Sequence, residues 1–337
     1  MPTTEVLQVD PANPDPRAIE RAAACLRDGG LVAFPTETVY GLGAHALNES
    51  AVARIFTAKG RPSNDPLIVH VAHVDDVPPL VEELPAVART LAARFWPGPL
   101  TLVLPKSTAV PDAVSAGLRS VGVRVPIHPV ARALLEAARL PVAAPSANLF
   151  SRPSPTRAQH VLDDLNGRID IVLDGGPTTV GLESTVLDLS TATPTVLRPG
   201  AVSVEALRAL LGAVATRDVT HAMSDGSSMT APGQLLKHYS PRAPLTLYMG
   251  ADDDAVRARI AHDAQLARDA GQQVGILDFS AERDLNRVAA QLFATLRDLD
   301  ASGVDLILAR AIARVDGLGP AIQDRLRRAA AGRIVQV

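Results

Sequence analysis

The sequence predicts an α/β protein in two unequal parts: a twisted, mixed sheet over residues 1–212 and a smaller, parallel α/β domain over residues 245–337. Three observations carry this. Short apolar runs suited to buried strands are separated by helical apolar spacing, but without strict alternation, so the first sheet is not all parallel. Residues 245–337 do alternate, strand then helix, three times over. Between the two parts, residues 213–244 include a serine-rich stretch at 224–228 and Ala231-Pro232-Gly233, which break regular structure and mark an interdomain linker. A chain of 337 residues is long enough to build a core on each side of such a linker.

Residues 15–28 read as a helix: prolines precede it, apolar residues recur at helical spacing, and Gly29-Gly30 closes it. Residues 31–34 form a short buried strand. Asn48 caps a second helix that runs through residue 58, with Val52, Ile55 and Phe56 on its inner side. A strand at 67–71 precedes a helix at 86–95, which Trp96-Pro97-Gly98-Pro99 breaks. Strands at 101–104 and 121–125, a helix at 130–138 and a strand at 142–144 follow. That last strand feeds the turn Ser146-Ala147-Asn148. Residues 156–165 read as helical, then 169–173, 185–189 and 195–197 as strands. A helix at 203–211 has Ser203 as its cap and Glu205 in its first turn. In the second part, strands at 245–248, 273–277 and 305–308 alternate with helices at 255–270, 285–299 and 318–331. Asp252-Asp253-Asp254 opens the first of these helices, where acids suit the dipole better than a metal.

Composition narrows the function. Charged residues are 20% of the chain and hydrophobic ones 47%, a folded rather than a disordered balance. A net charge of −3 argues against a broad nucleic-acid surface, which needs a basic stripe. The single cysteine, Cys25, excludes an internal disulfide and a cysteine-based zinc site, and its apolar helical context makes it a buried structural thiol. The start of the chain lacks the basic and apolar regions of a signal peptide, and no apolar run approaches the length that crosses a bilayer. The expectation is a soluble cytoplasmic protein with no membrane partner.

The residues able to do chemistry sit where strands and helices give out into loops. Lys59 and Arg61, in Ala58-Lys59-Gly60-Arg61-Pro62, follow a helix C-terminus. Alone such a pair reads as a solvated face, or as cations suiting the dipole. Beside Ser146 and Asn148 it gains meaning: two cations, a hydroxyl and a carboxamide suit a polyanion such as a nucleoside triphosphate. In α/β sheets ligands gather at the carboxyl ends of strands, and Ser146-Ala147-Asn148 follows one. No Ser-His-Asp spacing makes Ser146 a nucleophile. Thr36 and Thr38 cap a turn or hold a small polar substrate, and the segment lacks the P-loop pattern. His70 lies in an apolar strand, either as a satisfied core histidine or as a buried donor lining a pocket. Arg124, flanked by strand valines, must face water or find an anion; a substrate carboxylate suits it. Glu183-Ser184-Thr185 and Arg198-Pro199-Gly200 read as turn chemistry. Tyr239, inside the linker, anchors it or closes a lid over a nucleotide. The histidines are scattered and no His-Glu-x-x-His occurs, so metal binding by protein ligands is weak.

Taken in chain order, Thr38-Val39-Tyr40-Gly41-Leu42, Lys59-x-Arg61, Val123-Arg124-Val125-Pro126, Ser146-x-Asn148, Ser184-Thr185-Val186 and Arg198-Pro199-Gly200 resemble the signature of the YrdC-like superfamily. His238-Tyr239-Ser240-Pro241, Gly317-Leu318-Gly319-Pro320-Ala321-Ile322 and Arg325-Leu326 extend the likeness to nearly the whole chain. The sequence is thus similar to the long, two-domain threonylcarbamoyl-AMP synthases. The resemblance implies a YrdC-like twisted α/β sheet with a large cleft. It also implies a reaction: L-threonine, bicarbonate and ATP give threonylcarbamoyl-adenylate and pyrophosphate, and a separate threonylcarbamoyl-transfer complex then modifies the tRNA adenosine beside the anticodon. Mg²⁺ would come with the ATP. Carried over by position, Thr38, His70, Arg124, Ser146 and Ser184 would hold threonine. Lys59, Arg61, Ser120, Asn148, Thr156, Arg198 and Tyr239 would surround the nucleotide, with Lys59 and Arg61 as the catalytic cations.

The sequence departs from that pattern at Asn64-Asp65-Pro66, where the family often has Asp-Asn-Pro. The Asp65 carboxylate would repel phosphate unless it meets Mg²⁺ or turns away. Ser240 stands where many members have alanine, and Leu149-Phe150-Ser151 lacks a glycine often seen there. Two other readings compete: an RNA-binding module of the same superfamily without adenylate synthesis, and a carbamoyltransferase of the kind found in hydrogenase maturation. The second usually carries a zinc finger, which one cysteine cannot build.

Overall fold

A computed structural model describes residues 3–216, 238–314 and 316–337. Its first part runs β1 (Glu5–Gln8), α1 (Pro16–Arg27), β2 (Val32–Pro35), β3 (Tyr40–His45), α2 (Glu49–Lys59), β4 (Ile68–His70), α3 (Ala86–Phe95), β5 (Leu100–Pro105) and α4 (Asp112–Ser115). It continues with β6 (Ser120–Arg124), α5 (Pro129–Ala138), β7 (Val142–Ala143), α6 (Ala158–Leu165), β8 (Ile171–Asp174), β9 (Thr185–Asp188), β10 (Thr195–Arg198), α7 (Val204–Leu211) and β11 (Ala215–Thr216). The second part holds β12 (Leu245–Met249), α8 (Asp253–Asp269), β13 (Val274–Leu277), α9 (Leu285–Ala301), β14 (Leu306–Arg310), α10 (Gly319–Ala330) and β15 (Ile334–Gln336).

Strands β1 to β11 form one sheet in the order β1-β8-β2-β3-β7-β4-β6-β5-β9-β10-β11. Parallel pairs such as β4–β6 and antiparallel pairs such as β2–β3 are interspersed, so the sheet is mixed as expected. Each face has its own core, and the two-residue side-chain period sorts residues between them. Val32 and Phe34 pack with α1 and α5, while Leu31 and Ala33 pack with α2 and α6. The second sheet, β13-β14-β12-β15, is parallel throughout. No helix among the described residues is long and apolar enough to cross a membrane.

Most expected elements are found within a residue or two, together with the caps on Asn48 and Ser203. Cys25 is buried, and burial pushes its thiol up to about 11, as suits an inert core residue. Others were not expected. β3 carries Gly41 and Gly43, which weaken strand propensity, yet the strand needs them. A Cβ at Gly43 would lie 2.8 Å from Val142 Cγ1 and 2.9 Å from Phe34 Cε1. β1 and β15 are edge strands of three or four residues, created by pairing with distant β8 and β12. β11 and α4 are likewise too short to leave a periodic signal. Thr156, expected to start a helix, precedes α6: its amide donates to His160 Nδ1 at 3.2 Å. Residues 217–237, the greater part of the expected linker with its serine-rich stretch and Ala231-Pro232-Gly233, lie outside the described residues.

The two parts touch through buried ion pairs. Arg297 of α9 donates to Asp164 of α6 at 2.7 Å and to the Pro153 carbonyl at 2.6 Å. Arg152 meets Asp300 at 2.8 Å, and Arg325 of α10 meets Glu183 at 3.0 Å. These contacts brace the two loops that carry Asn148 and Ser184.

Candidate functional site

The turn between β2 and β3 closes on its own threonines. Thr36 Oγ1 donates to the Val39 carbonyl at 2.6 Å and lies 2.7 Å from Thr38 Oγ1. The Glu37 and Thr38 carbonyls accept from Val180 and Gly181 amides. Helix α2 ends on Gly60, left-handed at φ 61°, which turns the chain so that Lys59 and Arg61 both point inward. The Lys59 Nζ donates to the Ser146 and Asn148 carbonyls. β7 delivers Ser146 beside Gly41. β4 and β6 run parallel with His70 opposite Arg124. At the start of β9, Ser184 Oγ lies 2.8 Å from Thr101 Oγ1, and Arg198 of β10 donates to the Ser184 carbonyl at 3.0 Å.

These segments surround one cavity of about 540 Å³ including its open mouth. Of the residues expected at a site, Thr38, Arg61, His70, Arg124, Ser146, Ser184, Arg198 and Tyr239 line it. Four others stand differently. Lys59 and Asn148 lie behind the wall: the amine is spent on carbonyls, and the Asn148 amide donates to the Leu149 and Arg152 carbonyls. Ser120 sits at the opposite end of β6 from Arg124, and four residues of strand span roughly 13 Å. Thr156 is tied to His160. Arg124 is also not an empty fork. Glu37 takes its Nη2 at 2.6 Å and Thr38 Oγ1 its Nη1 at 3.1 Å, because a buried guanidinium needs compensation before any ligand arrives.

Sequence reasoning missed four residues here. Glu37 pairs with Arg124, Glu183 and His238 line the cavity, and Arg325 supports Glu183 from the other domain. Glu37 sits inside a motif that was read for its threonines. Nothing local announces the partnership of Glu183 with a residue 142 positions away.

The cavity is strongly positive in hardware but locally balanced. Arg61 lies 2.9 Å from Asp65, which is fully buried, so Asp65 has turned onto the arginine rather than toward a phosphate. Burial lowers Lys59 well below the usual lysine value, and Arg61 beside it adds to this. Burial and then Arg124 hold His70 at about 3, so its ring is neutral. Burial likewise keeps His238 neutral and raises Tyr239 to about 12. Burial pushes Glu183 up, but Arg325, Arg198 and the Ser154 hydroxyl outweigh it, and the carboxyl titrates below its usual range. Tyr239 adopts φ 57°, a conformation costing on the order of 1 kcal/mol for a non-glycine residue. Its hydroxyl and the Nδ1 atoms of His70 and His238 have no hydrogen-bond partner among the described residues. Unpartnered polar atoms around a cavity rich in arginine and hydroxyl groups suit a small polar anion.

Comparison with known proteins gives the same outline. Residues 24–200 match a family model of the Sua5, YciO and YrdC proteins described as "Telomere recombination". Residues 202–331 match one described as "Threonylcarbamoyl-AMP synthase, C-terminal domain". A threonylcarbamoyl-AMP synthase of Pyrococcus abyssi is 44% identical, over 95% of this chain and 96% of that protein. One of Bacillus subtilis is also 44% identical, over 96% and 95%. The crystal structure of P. abyssi Sua5 complexed with L-threonine superposes with a TM-score of 0.94 at 42% identity, covering 99% of this chain and all of that one.

Proposed function

The chain belongs to the Sua5, YciO and YrdC family in its two-domain, threonylcarbamoyl-AMP synthase form, and from that premise we propose how it works. It is an enzyme of nucleotidyltransferase type that makes threonylcarbamoyl-AMP for tRNA modification. Its substrates are L-threonine, bicarbonate and ATP. The observation that carries this is one cavity lined by Arg61, Arg124 and Arg198 together with Thr38, Ser146 and Ser184.

Threonine's amine and bicarbonate condense to a carbamate with loss of water. A carbamate oxygen bonds to the α-phosphorus of ATP, the bond from that phosphorus to the bridging oxygen breaks, and pyrophosphate leaves with the electron pair. Such a reaction needs positioning and charge neutralisation more than proton transfer. In this reading Arg124, held in place by Glu37, Thr38 and the Gly98 carbonyl, lines the cavity as the cation that meets the threonine carboxylate. Thr38, Ser146, Ser184 and neutral His70 hold the rest of the amino acid without adding charge. Arg61, Arg198 and Tyr239 face the nucleotide. Lys59 acts from behind, by fixing the carbonyls of Ser146 and Asn148. Ser120, Asn148 and Thr156 reach the nucleotide only if it extends beyond the cavity.

The donor set does not suit a protein-held metal. No group of three acidic, histidine or cysteine residues gathers among the described residues, and Asp65 is committed to Arg61. Mg²⁺ fits as a companion of the triphosphate, bound by phosphate oxygens and water. We place the domain boundaries at 212 and 244.

The test is pyrophosphate release from ATP. Release that requires threonine and bicarbonate together is expected; release indifferent to either one contradicts the assignment.

A further inference from the structure

We infer that Arg297, from the C-terminal domain, is a positioning residue for L-threonine: together with Asp164 it fixes the loop 146–153, and with it the place of the Ser146 hydroxyl in the cavity. The inference rests on the reading above that Ser146 holds the amino acid, and it assigns a task to the smaller domain. Ser146 lines the cavity, and the loop it opens leads from β7 to α6. Apart from an isolated bridge between Ser146 and Gly41, that loop has no regular structure of its own. Its backbone groups therefore need partners from other segments.

At its start the loop is held from within the first domain, where Lys59 Nζ donates to the Ser146 and Asn148 carbonyls. Past Asn148 the second domain takes part. The Leu149 amide donates to Asp164 Oδ2 of α6 at 3.3 Å, and the same oxygen accepts from Arg297 Nη2 of α9 at 2.7 Å. Arg297 also donates to the Pro153 carbonyl, from Nε at 3.1 Å and from Nη2 at 2.6 Å. One guanidinium thus secures the stretch from Leu149 to Pro153 at both ends. Three residues further along α9, Asp300 takes Arg152 Nη2 at 2.8 Å. Arg297 and Asp164 are each 6% exposed.

A buried carboxylate needs a cation. Without Arg297, the other guanidinium beside Asp164 is that of Arg152, whose Nε lies 3.9 Å from Oδ1. A carboxylate drawn that way lets go of the Leu149 amide, and the Pro153 carbonyl has lost its donor as well. The loop then slackens back toward Ser146.

The experiment is calorimetric titration of L-threonine, and separately of Mg-ATP, into the full-length protein and its R297M variant, both shown folded by circular dichroism. R297M should weaken threonine binding about tenfold, the scale of one hydrogen bond to the amino acid lost. Mg-ATP, assigned to Arg61, Arg198 and Tyr239 on other segments, should bind within about threefold of wild type. A merely structural role loosens the protein without telling the two ligands apart. D164A removes the acceptor of the Leu149 amide and should show the same selective loss. D164N keeps an acceptor oxygen there and should bind threonine within about threefold of wild type.

Should R297M not fold, R297M/D164N, which buries no unpaired carboxylate, takes its place; the Pro153 carbonyl still lacks its donor, and threonine binding should again weaken about tenfold. The inference is overturned if R297M, or the double variant in its place, binds threonine as wild type does. It is equally overturned if threonine and Mg-ATP weaken alike, or if D164N loses as much threonine affinity as D164A. Wild-type protein that fails to bind threonine overturns the reading of the cavity itself, and that outcome is visible before any variant is made.

Discussion

Lys59 carries the lesson at the residue scale. Its spacing to Arg61 marks it in the sequence as a charge facing phosphate. The fold instead closes a helix end and a strand end around it and uses its amine to tie two carbonyls. Lys59→Ala leaves both acceptors unpaired in a buried place, so it should cost about 1–3 kcal/mol of stability. It should also reduce adenylate formation about a hundredfold, read as kcat for pyrophosphate release in protein shown folded by circular dichroism. Near-normal turnover would mean that the Ser146–Asn148 turn holds without the amine. Arg61 and Asp65 tell a similar story. The sequence departure at 65 looked unfavourable for phosphate, and the fold places that carboxylate 2.9 Å from the Arg61 guanidinium. Which residue types meet at the cavity was legible in part: Arg61, Arg124, Ser146 and Ser184 line it, whereas Lys59 and Asn148 lie behind its wall. Which of their atoms are already engaged was not, because each partner comes from another segment.

Elements show where propensity yields to packing. β3 carries two glycines, which depress strand formation, yet sheet pairing with β2 and β7 recruits it. The side chains of Phe34 and Val142 occupy the space a Cβ would need. Gly43→Ala should therefore destabilise the protein by about 1–3 kcal/mol in urea unfolding, and an unchanged midpoint would show that the neighbours can yield. The segment His238–Ser240 is the opposite case. It was marked by sequence as a lid or an anchor, and it does contribute Tyr239 and His238 to the cavity. The Tyr239 ring sits 5.3 Å from Phe293, while its hydroxyl has no partner among the described residues. Tyr239→Phe keeps the ring and removes the hydroxyl. It should weaken ATP binding about threefold to tenfold with little change in melting temperature, and unchanged affinity would remove the tyrosine from the nucleotide site.

At the scale of the whole molecule, buried neutral histidines tie stability to pH. His70 titrates near 3 and His160 near 4, against 6.5 when exposed, both mainly because burial opposes the charged form. Below pH 6.5 the unfolded chain takes up protons that the folded one refuses. Stability should thus fall as pH drops from 6.5 toward 4, by up to about 1.4 kcal/mol per histidine per pH unit. Calorimetric melting at pH 7 and pH 5 measures it; equal stability at the two values would mean these rings can charge in place.

The sequence by itself determined the alternation of strands and helices and the mixed and parallel characters of the two sheets, and it marked the cations and hydroxyls proposed for the chemistry. Period, caps and breakers are local signals, and they survive into the fold. Only the tertiary structure decided that Glu183 answers to Arg325, Arg124 to Glu37 and Asp65 to Arg61, and that Ser120 stands apart. A buried charge must be matched by whatever opposite charge the fold brings to it. Where that partner lies across the chain depends on packing, which no window of neighbouring residues contains.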